Sequence, residues 1–208
     1  MKAFLPDKTV ERLSQYRRVL YNYQYLDHAY IFSHNLARII KTNAANVRRD
    51  LMLVGVNGDV HKGYDINELI TKISEAIDQD EPEKVAFVGI GELGRTVSEY
   101  FSRYNNKLVI AATFRFGQNK QPSYELPSYY ISEMPRIIKE MKIRLCVVAV
   151  PIEFAKEIST ILVHSGVLGI LNFSSAYLQL PPHIFVENYD MITKLEKVAY
   201  FMNKPTNK

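Results

Sequence analysis

Six residues offer the most readable chemistry in this chain: Gly89-Ile90-Gly91-Glu92-Leu93-Gly94, directly after the apolar run Val85-Ala86-Phe87-Val88. A Gly-x-Gly-x-x-Gly between a strand and a helix cradles a pyrophosphate. The first glycine permits a tight turn, the second lets backbone approach the phosphates, and the third lets helix pack on strand. The helix start adds unpaired N–H groups and positive partial charge. Upstream, Asn43, Asn46, Arg48 and Arg49 are residue types that reach base edges and phosphates from a helix in the major groove. The same four would also suit the solvated surface of a small helical bundle. A nucleotide pocket joined to a DNA reader suggests a ligand-controlled regulator.

A dinucleotide pocket of this kind usually holds a ribose 2′-hydroxyl with an Asp or Glu about 20 residues beyond the glycines. Here the segment reads Ala111-Ala112-Thr113-Phe114-Arg115-Phe116, which assigns Thr113 to that position and offers no carboxylate before Glu125. Arg115 would instead face a 2′-phosphate, since a guanidinium fork matches phosphate oxygens. Three readings stay open: a preference moved toward NADP(H), weak NAD(H) binding without the carboxylate, and loss of dinucleotide binding.

Other chemistries find little support. A dehydrogenase needs a proton donor beside the nicotinamide, but the strand-end segments Ala149-Val150-Pro151 and Asn172-Phe173-Ser174 are mainly apolar and amide in character. No catalytic residue is assigned. His28, His34, His61, His164 and His183 are scattered and the single cysteine has no partner at ligand spacing, so no metal site is expected. Cys146 lies within an apolar run and is expected to behave as a small buried hydrophobe rather than a redox centre.

The elements that would position these residues follow from periodicity. Two helices, over 9–23 and from Ser33 as N-cap, precede residue 41; a turn at Lys41-Thr42-Asn43 leads into a third with Val47, Leu51 and Val54 on one face. Gly55, Gly58 and Gly63 punctuate residues 54–64, as in a β-hairpin, which completes a winged-helix domain. An amphipathic helix over 66–77 ends in Asp78-Gln79-Asp80-Glu81-Pro82. Beyond it, apolar runs at 85–88, 108–112, 145–150 and 167–171 alternate with helical stretches at 92–103, 133–141 and 152–165, the pattern of a parallel sheet covered by helices. The expected organisation is therefore α/β, with a winged-helix domain over 1–80, a Rossmann-like doubly wound domain over 81–188 and a C-terminal helix over 189–208.

Charge divides the same way. Residues 1–64 hold 10 Lys and Arg against 5 Asp and Glu, while residues 65–208 hold 16 against 17, giving +5 and −1. A basic N-terminal part is what a phosphate-neutralising domain requires. No run reaches the ~18 apolar residues of a membrane span and the N-terminus lacks a signal-peptide core, so a cytoplasmic protein is expected.

With these segments placed, the chain resembles the redox-sensing transcriptional repressor Rex family from Pro6 to Phe201. Val47-Arg48-Arg49-Asp50-Leu51 is similar to the family's recognition helix, Gly89 to Gly94 to its nucleotide loop, Ala149-Val150-Pro151 to its Thr-Val-Pro segment and Gly169-Ile170-Leu171-Asn172-Phe173 to its Gly-Ile-Leu-Asn-Phe segment. The resemblance implies a homodimer reading a palindromic operator, and NAD(H) bound by Gly89, Gly91, Glu92, Leu93, Gly94, Val150, Pro151, Asn172 and Phe173. It also implies a C-terminal helix exchanged between subunits and release from DNA on NADH binding. It places His61 and Lys62 in a DNA-contacting wing and a polar relay on Arg18, Tyr100 and Asp190. Two departures stand out. The ribose carboxylate is missing, and the family's basic wing reads Asp59-Val60-His61-Lys62-Gly63-Tyr64 here.

Overall fold

The computed structural model describes residues 4–89, 107–116 and 126–202, which fall into two compact units, Met1–Asp80 and Glu81–Lys208. In the first, α1 (Asp7–Tyr25) follows the extended Pro6 and buries Leu13, Tyr16 and Leu20 at three- and four-residue spacing, one side of the helix. α2 (Ser33–Ile40) stops where Lys41 turns left-handed, with φ 57°. α3 (Ala44–Leu53) starts at Asn43, whose side-chain oxygen accepts the Asn46 N–H at 2.8 Å. α4 (Ile66–Ile77) starts at Asp65, whose carboxylate accepts the Glu68 N–H at 2.9 Å. Both are side-chain N-caps that satisfy an otherwise orphaned helix donor. The four helices close on a core that includes Leu36, Val47, Leu51, Leu69 and Ile73.

Two local expectations are corrected. Phe32, not Ser33, occupies the α2 N-cap: its backbone is extended and it has no side-chain oxygen for a cap bond, while the Ser33 hydroxyl accepts from Arg48 at 3.4 Å. The glycine-punctuated segment does not form a two-stranded hairpin of its own. β2 (Tyr64–Asp65) pairs antiparallel with β1 (Tyr30–Ile31), a strand between α1 and α2 that periodicity did not show. The wing shrinks to a turn closed by one bridge, Asp59 to Gly63. Gly63 is required there: it has φ +82°, and a Cβ would sit 2.5 Å from the Ile31 carbonyl oxygen.

The second unit is a six-stranded parallel sheet in the order β5-β4-β3-β6-β7-β8. Its strands are β3 (Glu83–Val88), β4 (Leu108–Arg115), β5 (Ser128–Tyr130), β6 (Leu145–Val148), β7 (Gly169–Asn172) and β8 (Phe185–Asn188). Alternation sorts the side chains: Ala86, Val88, Ala112, Phe114, Cys146, Val148 and Ile170 join a core with α5 (Met134–Met141) and α6 (Ile152–His164). Val85, Phe87 and Val147 form a second cluster with Ile110, Leu145 and Leu171. The two short outer strands, β5 and β8, were not expected. The helix expected over 92–103 lies outside the described residues. After β5 at one edge the chain returns through α5 to β6, beside β3, so strand order reverses between β3 and β6. That is the switch point at which open α/β sheets bind ligands, outside the strands' carboxyl ends. α7 (Met191–Met202) carries Ile192, Leu195 and Val198 on its surface, each more than half exposed.

Candidate nucleotide cleft and DNA-reading face

The strand tips are stitched together by single backbone bonds. The Gly89 N–H donates to the Phe114 carbonyl at 3.0 Å, Ala149 to Val88 at 2.9 Å, Phe173 to Val148 at 2.8 Å and Tyr189 to Asn172 at 2.8 Å. Gly89 has φ +83°, and a Cβ on it would lie 2.5 Å from the Ala149 oxygen and 2.6 Å from Val150 Cγ1. Only glycine therefore lets β3 turn at this point, and its close backbone approach is what a pyrophosphate corner needs. Gly91, Glu92, Leu93 and Gly94 lie outside the described residues. Val150 is buried in the core, while Pro151 is exposed and starts α6; with no N–H of its own it suits that place. At the same end, Phe116 after β4 and Phe154 in the first turn of α6 pack with ring centroids 5.0 Å apart, each more than a third exposed.

The strand-end position moves from Thr113 to Arg115. β3 and β4 shift register between Val85 and Ala86, so that Val85 faces Ile110 but Ala86 faces Ala112, and β4 runs on to Arg115. The bulge places one extra residue on β4, and Thr113 lies inside the sheet, two residues before the strand end. Thr113 is buried and its hydroxyl donates to the Pro127 carbonyl at 3.2 Å. Arg115 ends the strand with its guanidinium 4.3 Å over the Tyr130 ring, a cation–π contact.

Asn172 has a structural role at the end of β7. Its side chain is buried and fully engaged: Nδ2 donates to the Ala176 carbonyl at 2.9 Å and to Asn188 Oδ1 at 2.8 Å, while Oδ1 accepts from the Ser174 N–H at 3.0 Å and its hydroxyl at 2.6 Å. The amide shapes the loop after β7 and ties it to β8, using both of its donors and both of its acceptor positions within the chain. Phe173 beside it is 44% exposed, with its ring 5.0 Å from that of Tyr189. Cys146 is buried, and desolvation pushes its thiol up to about 12, which suppresses the reactive thiolate.

On the first unit, Arg48 and Arg49 stand exposed on α3, and Arg48 Nη1 donates to Ser33 Oγ at 3.4 Å. Asn43 spends its side-chain oxygen on the helix cap, and Asn46 Nδ2 donates to Thr42 Oγ1 at 3.3 Å. Both amides order the helix start. His61 and Lys62 are exposed on the wing turn, where Asp59 Oδ1 accepts their backbone N–H groups at 2.7 and 2.8 Å. Those bonds, Lys62 first, hold the Asp59 carboxyl below its usual value.

Sequence reasoning missed Asp50. This α3 carboxylate is 1% exposed, and it accepts from Arg12 Nε at 2.6 Å, Arg12 Nη2 at 2.8 Å, Tyr16 OH at 2.9 Å and Thr9 Oγ1 at 3.2 Å. Burial, and then the bond to Asp50, raises the Tyr16 hydroxyl above its usual value. The cluster fixes α3 against α1 and so sets how Arg48 and Arg49 are presented. A signal was present: position 50 lies three residues from Val47 on its apolar side. Of the relay residues, Arg18 is exposed on α1 and Tyr100 lies outside the described residues. Asp190 accepts from the Thr193 N–H at 3.1 Å and from its hydroxyl, at the start of α7.

Comparison with known proteins agrees with this layout. Residues 5–51 match the family described as putative DNA-binding protein N-terminus, and residues 80–176 match the CoA binding domain. The fold is that of RSP, a Rex-family repressor, with TM-score 0.82 at 24% identity over 98% of this chain and 97% of that one. RSP in complex with NADH gives 0.83 at 22% identity over 98% and 96%, and RSP with NAD+ and operator DNA gives 0.80 at 24% over 98% and 94%. The redox-sensing transcriptional repressor Rex of Exiguobacterium sibiricum is 32% identical over 95% of this chain and 91% of its own. That of Anoxybacillus flavithermus is 33% identical over 95% and 94%. These relatives are named as repressors, not enzymes. With that identity spread over nearly its whole length, the chain belongs to the redox-sensing transcriptional repressor Rex family.

Proposed function

We propose that this chain is a homodimeric, cytoplasmic DNA-binding repressor that binds a nicotinamide dinucleotide, NAD(H) on the family pattern, and leaves its operator when the reduced form binds. The observation that carries the reading is Gly89: a positive-φ corner pressed against Ala149 and Val150 at the switch point of a parallel sheet, in a chain whose other unit presents Arg48 and Arg49 on an exposed helix. Gly89, Gly91, Glu92, Leu93 and Gly94 would hold the pyrophosphate, with Val150, Pro151 and Phe173 along the cleft. The dinucleotide supplies no bond-breaking chemistry here; it acts as a ligand whose two redox forms differ in affinity for two conformations of the dimer.

Arg48, Arg49, His61 and Lys62 would meet a palindromic operator, Arg48 and Arg49 from the major groove and the wing from the side. The apolar stripe of Ile192, Leu195 and Val198 on residues 189–208 would be exchanged between subunits, which gives it a covered position. Asp190 would pass between Arg18 and Tyr100 as the dimer closes. In the present state its carboxylate rests on Thr193.

The test is fluorescence anisotropy of an inverted-repeat operator at fixed salt. Binding should weaken with added salt, and Arg48→Ala or Arg49→Ala should lower the slope of log affinity against log salt by about one each. Reduced dinucleotide should release the DNA, and Asp190→Ala should lose that release. DNA binding that ignores every nicotinamide dinucleotide would overturn the sensor reading.

A further inference from the structure

We infer that the Arg17–Asp78 ion pair is the joint through which dinucleotide binding reaches α3: it fixes the linker between the two units to α1, and α1 in turn holds α3. This rests on the sensor reading above. The pair is largely out of water, with side chains 10% and 17% exposed. Arg17 Nη1, on α1, donates to both Asp78 carboxylate oxygens at 2.7 Å and to Ser74 Oγ, on α4, at 3.1 Å. The Asp78 N–H still donates to the Ser74 carbonyl at 2.9 Å, but its own backbone is extended, with φ −84° and ψ 149°. Arg17 therefore grips the point at which the chain leaves α4.

The segment that follows is short and is held at its far end as well. Gln79-Asp80-Glu81-Pro82 is exposed and leads directly into β3, and Pro82 favours an extended Glu81. Glu83, the first residue of β3, accepts from Arg144 Nε at 3.3 Å and from its Nη2, and the Glu83 N–H donates to the Lys107 carbonyl at 2.7 Å. A long flexible linker lets one unit turn without the other. Four residues clamped at both ends pass a rotation on instead. On the first unit, Arg12 and Tyr16 of the same α1 hold Asp50 of α3. One helix thus carries two ion pairs, one to α3 and one to the linker. A pair shielded from solvent is little screened by salt and costly to break on one side, so this joint is stiff where a surface pair would slip.

The quantity to measure is a ratio: the operator Kd with saturating NADH over the operator Kd without it, by anisotropy at fixed salt on the full-length chain. Arg17→Gln should cut this ratio at least about threefold, while operator affinity without NADH, and NADH affinity read by its own fluorescence, each stay within about threefold. Asp78→Asn keeps the shape and an acceptor oxygen, so it reads the same ratio should Arg17→Gln fail to fold, and it should lower it in the same sense. The double variant should be no worse than Arg17→Gln, since both substitutions break one contact. Inserting Gly-Ser-Gly-Ser after Gln79 leaves both clamps intact and should also cut the ratio. A ratio unchanged when the ion pair is broken, a ratio that survives the insertion, or a loss of operator affinity at constant ratio overturns this inference alone. Operator binding by the unaltered chain that ignores both NADH and NADPH overturns it together with the sensor reading.

Discussion

Among the described residues, Asp50 and Asn172 are two polar hubs, each 1% exposed, and they are built on opposite principles. Asp50 is a charged hub. It gathers a bidentate guanidinium and two hydroxyls from α1 onto α3. Asn172 is a neutral one. Its amide donates twice and accepts twice, and it joins the loop after β7 to β8 beside the strand mouth. A buried charge is stable only with its partners in place, which makes the α1–α3 angle an all-or-none feature. A buried amide fixes a loop without adding charge beside the strand ends where the nucleotide is proposed to bind.

The largest effect should follow from breaking the charged hub. Asp50→Ala leaves the Arg12 guanidinium, whose side chain is 25% exposed, and the Tyr16 hydroxyl without their acceptor. The cost should be about 3 kcal/mol, the low end for an orphaned buried ion because Arg12 keeps some solvent. Hydrogen exchange in α3 should accelerate and operator affinity should fall with it. Asp50→Asn keeps the shape and loses the charge, so recovery of most of the stability by this variant would mean the hub works by hydrogen bonding alone.

Asn172→Ala should cost less, about 1–3 kcal/mol, since its partners are neutral and the Ser174 and Asn188 groups lie near the surface loop. The destabilisation should be confined to exchange in β7 and β8. Asn172→Asp should be worse than alanine: it turns an oxygen toward the Ala176 carbonyl and Asn188 Oδ1 in place of the N–H groups they now accept from. Equal losses for Asp50→Ala and Asn172→Ala would erase the contrast between the hubs.

Neither hub's set of partners was legible in the sequence, and the reason is the distance along the chain. Asp50 draws its partners from residues 9, 12 and 16; its place beside Val47 on the apolar side of the helix marks it as buried, but nothing local names those partners. Asn172 sits where a ligand-facing amide would sit, and its bonds to Ala176 and Asn188 appear only in the fold. The central strands were readable because β3, β4 and β6 are continuous apolar runs, as strands buried on both faces must be. The outer strands were not, because Ser128-Tyr129-Tyr130 and Phe185-Val186-Glu187-Asn188 are short and partly polar. Thr113 lies two residues short of the strand end because β4 runs on to Arg115, past a register shift beside Val85 that no composition signal marks. The glycine corner needed no such luck, since Gly89 is set by the backbone conformation at its own position.

The smallest expected effect tests whether burial alone separates the hubs from an otherwise similar contact. Asp59 is a carboxylate that accepts two N–H groups, those of His61 and Lys62, but it lies in solvent at the wing turn. Its folded-state pKa is depressed, so its contribution to turn order is present above the ordinary carboxylate value and is lost as pH falls through the depressed one. The His61 and Lys62 amide shifts should therefore titrate together with a midpoint below that ordinary value. Asp59→Asn keeps an acceptor oxygen and should hold the turn at all pH values, whereas Asp59→Ala should release it and weaken operator binding by no more than about threefold, the scale of an exposed turn bond. Global stability should not move in either variant. A midpoint at the ordinary value would mean that the turn is held by the Asp59–Gly63 bridge alone, and that carboxylates order this unit only where water is excluded, as at Asp50.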